Sequence, residues 1–381
     1  VSLRELGLAQ AGADPRWEAM CGPGDLFCTG RWLAVEREAV GPWVPRARSC
    51  LAAFDGPEIA AGVVVQQFDR DADDETVRLD KMLPAEVLAR WDDPVSAVQP
   101  SLMCGTWFNS TVLTAPGLAG SQREKVRREL VDAVVERGRQ WGCATVFFPF
   151  LDADDVQLRE ALRDAGFAEF PAPARHIFNC DFPNYESFVA SLRSHKRHRL
   201  RRESAAVRAA GISTACQALD GSTVETAARL AHLLERKYDQ RSTFDEMAAW
   251  FEAIARHTDT VVFTASRGTG PPIAMSMWIH HEDRMYGFHA GFDYEQCQGL
   301  PMYSLAGFHL PIEYGCSHPG IRALEYGCSS DQAKLIRGTT GMAQVLCVKP
   351  LTALAQPLLN HRSGGTVWVG LPESIDGVTG E

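Results

Sequence analysis

A run of cations stands between Arg193 and Arg208, in the stretch RSHKRHRLRRESAAVR. Arg193, Lys196, Arg197, Arg199, Arg201, Arg202 and Arg208 meet a single carboxylate there, Glu203. Phe188, Val189 and Leu192 come just before it and give a docking face. Past Leu192 the segment is basic almost all round, with Leu200 the main exception. A protein core has no use for such a surface. A polyanion has, because guanidinium groups grip phosphates through paired, charge-assisted hydrogen bonds. The plainer account is a solvated helix that pairs with acidic loops nearby.

Two further segments carry groups suited to chemistry. In GIRALEYGCSSDQAKLIRGTTGM an expected strand ends at Gly327, and Lys334 and Arg337 follow before Gly338. α/β proteins place ligands in crevices at strand ends. A lysine there can steady a developing oxyanion. Arg337 can hold a phosphate or carboxylate, with Glu325 on the preceding strand. In RMYGFHAGFDYEQCQGLPMYSLAGFH, Tyr286, Phe288 and Phe292 alternate with Gly287 and His289, and Gly291 and Gly299 bracket a turn before Tyr303. His289 has the chemistry of a base and Tyr303 that of a hydrogen-bond donor. The catalytic candidates are therefore Lys334, Tyr303 and His289. The substrate-binding candidates are Arg337, Glu325 and Tyr286. Surface charge and simple packing are the bland alternatives for each.

Familiar templates are missing. The sequence has no GxxxxGK[ST], no GxGxxG after a strand, no GxSxG and no HExxH. The acetyl-coenzyme-A loop pattern [QR]xxGx[GA] has no match leading from an expected strand into a helix either. The stretch nearest to it, Pro116–Gly120, has glycines without the pattern.

These residues need elements to hold them. RARSCLAAF and EIAAGVVVQQF flank Asp55-Gly56-Pro57, which predicts a hairpin. The charged DRDADDETVRLDKMLPAE reads as a surface insertion, and SLMCGTWFNSTVLTA as another strand. Val126, Leu130, Val131, Val134 and Val135 recur at helical spacing between Ser121 and Trp141. CATVFFPFL predicts a buried strand, DDVQLREALRDAGF a helix ending near Gly166, and ARHIFNCDF a strand. The second half predicts one long helix from Tyr185 to Ala210, then helices over 223–240 and 244–257. Strands TVVFTASRG, PPIAMSMWIHH and RMYGFHAGF follow, then a helix over 303–314 and strands IRALEYG and VLCVKP. Both halves run in the same order of elements, without a close sequence repeat. The expected division is 1–180, 181–360 and a flexible tail over 361–381.

Composition limits the function classes. The chain has 381 residues, 45% of them apolar, enough for two ordinary cores. Its 38 Lys and Arg against 48 Asp and Glu give a net charge of −10, which argues against a general nucleic-acid coat protein but not against a local basic patch. No apolar run is long enough for a membrane-spanning helix. The opening VSLRELGLAQAGADPRWE is charged and lacks an apolar signal region, so a cytoplasmic protein is expected. Eleven cysteines cannot all pair within the chain, and no CxxC or paired Cys/His spacing suggests zinc. Free thiols in a reducing compartment are expected.

The run Phe182-x-x-Tyr185-x-x-Phe188, then the Lys/Arg-rich helix, then Ala210-Gly211-Ile212, resembles the FemABX-like branch of the GNAT acetyltransferase superfamily. So does the later Glu325-Tyr326-Gly327 followed by Lys334-Leu335-x-Arg337-Gly338. The similarity is greatest to the branch's peptidoglycan biosynthesis/recognition group, and it covers roughly residues 100–350. The resemblance implies a mixed α/β fold of two tandem GNAT-like domains, each a mixed sheet flanked by helices. It implies transfer of an aminoacyl group from aminoacyl-tRNA to an amine, in cell-wall or antibiotic biosynthesis, with no cofactor beyond that donor. The basic helix would face the tRNA acceptor arm through Arg193, Lys196, Arg197, Arg199, Arg201 and Arg202. Lys334 would match the family's cation near the reacting ester. The acceptor would be a small amine or a peptidoglycan precursor. The lack of the long helical-hairpin arm of some members favours the small amine.

Such a reaction needs no ATP, because the ester is already activated. It needs a stabilised oxyanion, a proton acceptor that the sequence does not identify, and proximity. Two other functions fit the same residues. One is an acyl-coenzyme-A-dependent N-acyltransferase that uses the basic helix for a pyrophosphate. The other is a non-catalytic RNA- or glycan-binding module.

Overall fold

A computed structural model describes residues 1–41, 43–72, 77–106, 110–238, 242–328 and 330–360. The chain divides into two units. Of the described residues, unit 1 takes 1–37, 43–173 and 342–360. Unit 2 takes 174–341 together with 38–41. The expected tail over 361–381 lies outside the described residues.

Unit 1 is built on the expected hairpin. β2 (Ala47–Asp55) and β3 (Glu58–Phe68) pair antiparallel around Gly56, whose φ of +60° suits a residue without Cβ. Ten of the eleven residues of β3 are buried, so both faces of the strand are covered. The strand order is β1 (Ser2–Leu6), β2, β3, β4 (Ser101–Cys104), β6 (Thr145–Asp152) and β13 (Thr340–Pro350), with β5 (Leu113–Thr114) paired to β3. β4 and β6 run parallel, and the other pairs antiparallel.

Helix α1 (Gly120–Gln140) lays its predicted valine and leucine stripe on one face, against Val63, Val65, Val146 and Phe148. Gly138 permits the close approach, since a Cβ there would meet Val146 Cγ2 at 2.6 Å. Trp17 and Leu33 belong to a second cluster with Cys50, Ala52 and Val64. α2 (Val156–Asp164) follows β6.

Three expectations change. The charged insertion is only partly a surface feature: Val77, Leu79, Met82 and Leu83 are buried, and the short helix Leu79–Met82 forms there. The apolar residues sit among charges and show no period in the sequence. The last strand was expected to close the second half. Residues 344–350 of β13 instead pair with β6, which gives that buried strand a second neighbour. The dividing point falls at residue 173 rather than 180.

Unit 2 orders its strands β7 (Ala168–Asn179), β12 (Ala323–Gly327), β11 (Arg284–Phe292), β10 (Pro272–His281), β9 (Asp259–Arg267) and β8 (Ile212–Ala218). β8 to β11 run antiparallel to their neighbours, β11 and β12 parallel, and β12 and β7 antiparallel. Its helices are α3 (Tyr185–Ser191), α4 (Ser194–Ala209), α5 (Gly221–Lys237), α6 (Phe244–His257), α7 (Met302–Ser317) and α8 (Asp331–Ile336). Each unit is thus a mixed sheet with flanking helices.

The single long helix expected over 185–210 is two. Leu192 and Arg193 are extended, with ψ of 151° and 148°. The break has local causes. Ser191 Oγ donates to the Phe188 carbonyl, and Arg197 Nη1 reaches back to the carbonyls of Ala190 and Leu192 at 3.0 Å each. A side chain that satisfies the last carbonyls ends a helix as a C-cap does.

Candidate functional site

The parallel pair β11–β12 is short. Only Arg284, Met285 and Tyr286 face Ala323, Leu324 and Glu325 in register. Beyond them β11 continues along β10, while β12 follows β7 through an irregularity between Glu325 and Gly327. The two strands therefore part at the strand end where the sequence placed its crevice.

The loop beyond this point is held by Lys334. Its Nζ donates to the carbonyls of Tyr326 (2.8 Å), Gly327 (3.0 Å) and Cys328 (2.7 Å). The residue is 4% exposed. Burial pulls its pKa down to about 8, against the pull of Cys328 and Asp331 in the other direction. His176 pins the same region. Its Nδ1 meets Thr339 Oγ1 and its Nε2 meets Asp331 Oδ1, both at 3.0 Å. Burial first, then Lys334, holds the His176 pKa below its ordinary value.

An ammonium has three donors, and all three of Lys334 are engaged. In this arrangement the ammonium holds the loop and does not face outward. Replacing Lys334 with Met is expected to lower the unfolding free energy by about 2–4 kcal/mol. Each buried carbonyl that loses its donor costs roughly 1–3 kcal/mol, partly offset because a charge is no longer buried. A urea titration checks this, and an unchanged midpoint with an unchanged slope would refute it.

Beside the loop lies a buried polar cluster. α7 contains a π turn over Leu305–His309, in which the Leu310 N–H bonds the Leu305 carbonyl. Ser276 Oγ on β10 donates to the Ala306 carbonyl of that turn at 2.6 Å. Such a turn inserts a residue and rotates the helix face that follows. Here it accompanies a buried histidine. His309 Nε2 lies 3.0 Å from Glu203 Oε2, and its Nδ1 lies 2.6 Å from Tyr185 Oη and 3.4 Å from Ser204 Oγ. The carboxylate only accepts. In the neutral ring Nε2 therefore carries the proton, and Nδ1 accepts from the Tyr185 hydroxyl.

Glu203 also receives Arg199 Nε at 3.1 Å and Arg337 Nη2 at 3.4 Å. Burial raises its pKa, but the His309 hydrogen bond and the Arg337 and Arg199 cations outweigh it and hold the carboxyl at about 2. Arg337 is 4% exposed. It donates to the Ala333 carbonyl at 2.9 Å and to Ser304 Oγ, and its guanidinium stands 4.9 Å over the Phe308 ring. In this arrangement its contacts are with the protein, and its charge helps keep Glu203 ionised.

The remaining predicted residues are dispersed. Glu325 is 3% exposed and carries two arginines, Arg175 at 3.0 Å and Arg284. That makes it an internal anchor rather than a substrate contact. Tyr286, opposite it in register, is buried. Tyr303 packs between Phe292 and Phe308, with the Arg337 guanidinium 5.9 Å from its ring. His289 belongs to a different set. Its Nδ1 donates to the Ala290 carbonyl, its Nε2 lies 3.4 Å from Glu235, and its ring meets Phe251 edge-on at 5.5 Å. The hydrogen-bonded cluster of His309, Glu203 and Arg337 does not include it. Tyr326 stacks on Phe308 at 4.9 Å, and its buried hydroxyl has no hydrogen-bond partner among the described residues.

The cations of α4 separate into two groups. Lys196 Nζ donates to the Leu335 carbonyl at 2.6 Å, Arg197 caps α3, and Arg199 holds Glu203. Arg193, Arg201, Arg202 and Arg208 are exposed, and His195 and His198 are exposed with them. Positions 195, 198, 201, 202, 205 and 208 lie on one side of a helix. The basic surface is therefore a stripe on the solvent side, and Glu203 faces inward.

Sequence reasoning missed Glu203, His309, Ser304 and His176 as site residues, and quoted Tyr185 only as part of a motif. One signal for Glu203 was available: it is the lone acid in the cation run. The π turn erased the signal for His309, because it breaks the spacing that would align that residue with the rest of the helix.

The fold is that of tandem GNAT proteins, two mixed sheets each flanked by helices. The chain belongs to the FemAB-like family of peptidoglycan biosynthesis/recognition, whose model matches residues 110–347. Among solved structures, FemX is similar at a TM-score of 0.60 and 10% identity, over 94% of this chain and 99% of its own. A tandem GNAT protein from the clavulanic acid biosynthesis pathway, solved without AcCoA, is similar at 0.54 and 13%, over 92% and 98%. At those identities the likeness concerns the fold alone. No curated protein matches the sequence. Among the described residues no helix is long and apolar enough to cross a membrane. All eleven cysteines are free.

Proposed function

We propose that the protein transfers an aminoacyl group from aminoacyl-tRNA to an amine, forming an amide. The observation that carries this reading is the outward stripe of α4. Arg193, Arg201, Arg202 and Arg208 stand exposed in a chain of net charge −10. Three cations on one helix face, with Arg193 at its start and none of the four engaged among the described residues, suit a phosphate backbone. The buried cluster of Glu203, His309 and Tyr185 on the inner side of the same helix supports chemistry close to that backbone. The FemAB-like family supports a peptidoglycan precursor as acceptor, with a small soluble amine as the alternative. The reaction draws on no cofactor, and the cytoplasm, where charged tRNA is found, is the proposed compartment.

An acyl-coenzyme-A donor is the second reading. The parting of β11 and β12 favours it, because separated strands leave main-chain groups able to pair with an extended amide-bearing chain.

One experiment separates the two. The protein is incubated with a pool of radiolabelled aminoacyl-tRNAs, peptidoglycan-precursor peptides and small amines. The expected result is transfer of one label to an amine, abolished by ribonuclease. Transfer that survives ribonuclease and requires acyl-coenzyme A would replace the first reading with the second.

A further inference from the structure

We propose that Tyr185, His309 and Glu203 form the proton relay of the transfer step, with the Tyr185 hydroxyl as the group that meets the attacking amine. This rests on the aminoacyl-transfer reading above and supplies the proton acceptor that the sequence does not identify.

The geometry is a chain of three groups in contact. Tyr185 Oη lies 2.6 Å from His309 Nδ1, and His309 Nε2 lies 3.0 Å from Glu203 Oε2. A base held by a third, ionised group is the arrangement that activates a hydroxyl in nucleophilic and acid–base sites. His309 and Glu203 are buried, while Tyr185, half-buried, is the least enclosed residue of the three. The carboxylate is secured by Arg199 and Arg337, so it stays charged opposite the imidazole. Burial, with Glu203 adding to it, raises the Tyr185 pKa. A free tyrosinate is disfavoured, which suits a group that passes a proton on without storing the charge.

A second histidine chain in unit 2, Thr339–His176–Asp331, opens to solvent at its carboxylate and is enclosed at its hydroxyl: Asp331 is 54% exposed, His176 1% and Thr339 6%. Tyr185 also lies in the aromatic-x-x-Tyr-x-x-Phe motif, and its ring rests on Phe188 and His309. Glu203 follows Arg202 directly on α4, so the phosphate-gripping stripe and the relay occupy two sides of one helix, about 10 Å thick.

The step balances as follows. The neutral amine attacks the ester carbonyl carbon and a C–N bond forms. The nitrogen passes its proton to Tyr185 Oη while the Tyr185 proton moves to His309 Nδ1. The imidazolium stands opposite the Glu203 carboxylate. As the C–O bond to the tRNA ribose breaks, the proton returns from His309 through Tyr185 to the leaving oxygen. An amide and a free ribose hydroxyl result, with the relay restored.

In this scheme Tyr185 is the catalytic residue, and His309 and Glu203 position and charge it. The test is single-turnover transfer from charged tRNA under saturating amine, with tRNA affinity and melting temperature measured on each variant. Tyr185→Phe keeps the ring packing and removes the hydroxyl. It is expected to slow transfer by about 10²–10³ and to leave affinity and melting temperature near wild type. His309→Gly is expected to slow transfer similarly, with partial rescue by added imidazole, which a purely structural histidine would not show. A Tyr185→Phe rate within threefold of wild type would overturn the relay. So would a slowed rate matched by an equal loss of tRNA affinity, or His309→Gly without rescue. A wild type inert with every charged tRNA would overturn the transfer reading itself, and the relay with it. An active wild type with unaffected variants removes the relay alone.

Discussion

Replacing Glu203 with Gln is expected to lower the unfolding free energy at pH 7 by about 3–5 kcal/mol, the range for breaking one side of a buried ion pair. The substitution keeps the side chain's size and removes its charge. Arg337, 4% exposed, is then left inside with Ser304 and the Ala333 carbonyl but no anion. The His309 hydrogen bond weakens as well. The effect carries a pH signature. The Glu203 carboxyl titrates at about 2 in the folded chain against an ordinary 4.5. Between those values the unfolded chain binds a proton that the folded chain does not. Its contribution is complete above pH 4.5 and is lost as pH falls from there toward 2. The gap between wild type and variant should therefore shrink by about 3 kcal/mol across that window, about 2 kcal/mol of it by pH 3. Urea unfolding at pH 7, 4 and 3 measures it. A gap that stays constant down to pH 3 would mean that the carboxylate is not held by these cations.

Much of the fold was legible because local signals agreed with it. Asp55-Gly56-Pro57 marks the β2–β3 turn, and the stripe of Val126, Leu130, Val131, Val134 and Val135 is the buried face of α1. The helix expected over 244–257 is α6 with the same bounds. What was illegible depends on partners distant in sequence. β13 finds β6 about two hundred residues back, and no pattern within VLCVKP names that partner. β8 is almost wholly exposed and mixes small and polar residues, so it lacks the alternation that reveals a half-buried strand. The site shows the same limit. Residue type located Lys334 and Arg337, but their roles follow from the carbonyls of Tyr326, Gly327 and Cys328 and from Glu203, which turn toward them only in the folded chain. The run Arg193–Arg208 looked uniformly basic, yet Lys196, Arg197 and Arg199 serve the protein itself. A charge count cannot separate those from the outward set.

That separation decides which residues to reverse in a binding experiment. Arg193→Glu, Arg201→Glu and Arg202→Glu together remove three exposed cations and disturb none of the contacts that hold α4. Reversing Lys196 or Arg197 instead would strip donors from the carbonyls of Leu335, Ala190 and Leu192 and confuse folding with binding. Each phosphate contact contributes roughly 0.7–0.9 to the slope of log affinity against log salt. The triple variant should therefore bind uncharged tRNA with a slope smaller by about two to three. Its affinity near 0.15 M salt should fall by at least about a hundredfold, since the reversed charges repel as well as fail to attract. Its melting temperature should stay within a degree or two of wild type, because exposed charges contribute little to stability. Fluorescence anisotropy across a salt series, paired with thermal unfolding, reads both quantities. An unchanged slope would show that tRNA, if bound at all, does not lie along α4. A lost slope with an intact fold would place the phosphate backbone over the helix face opposite Glu203.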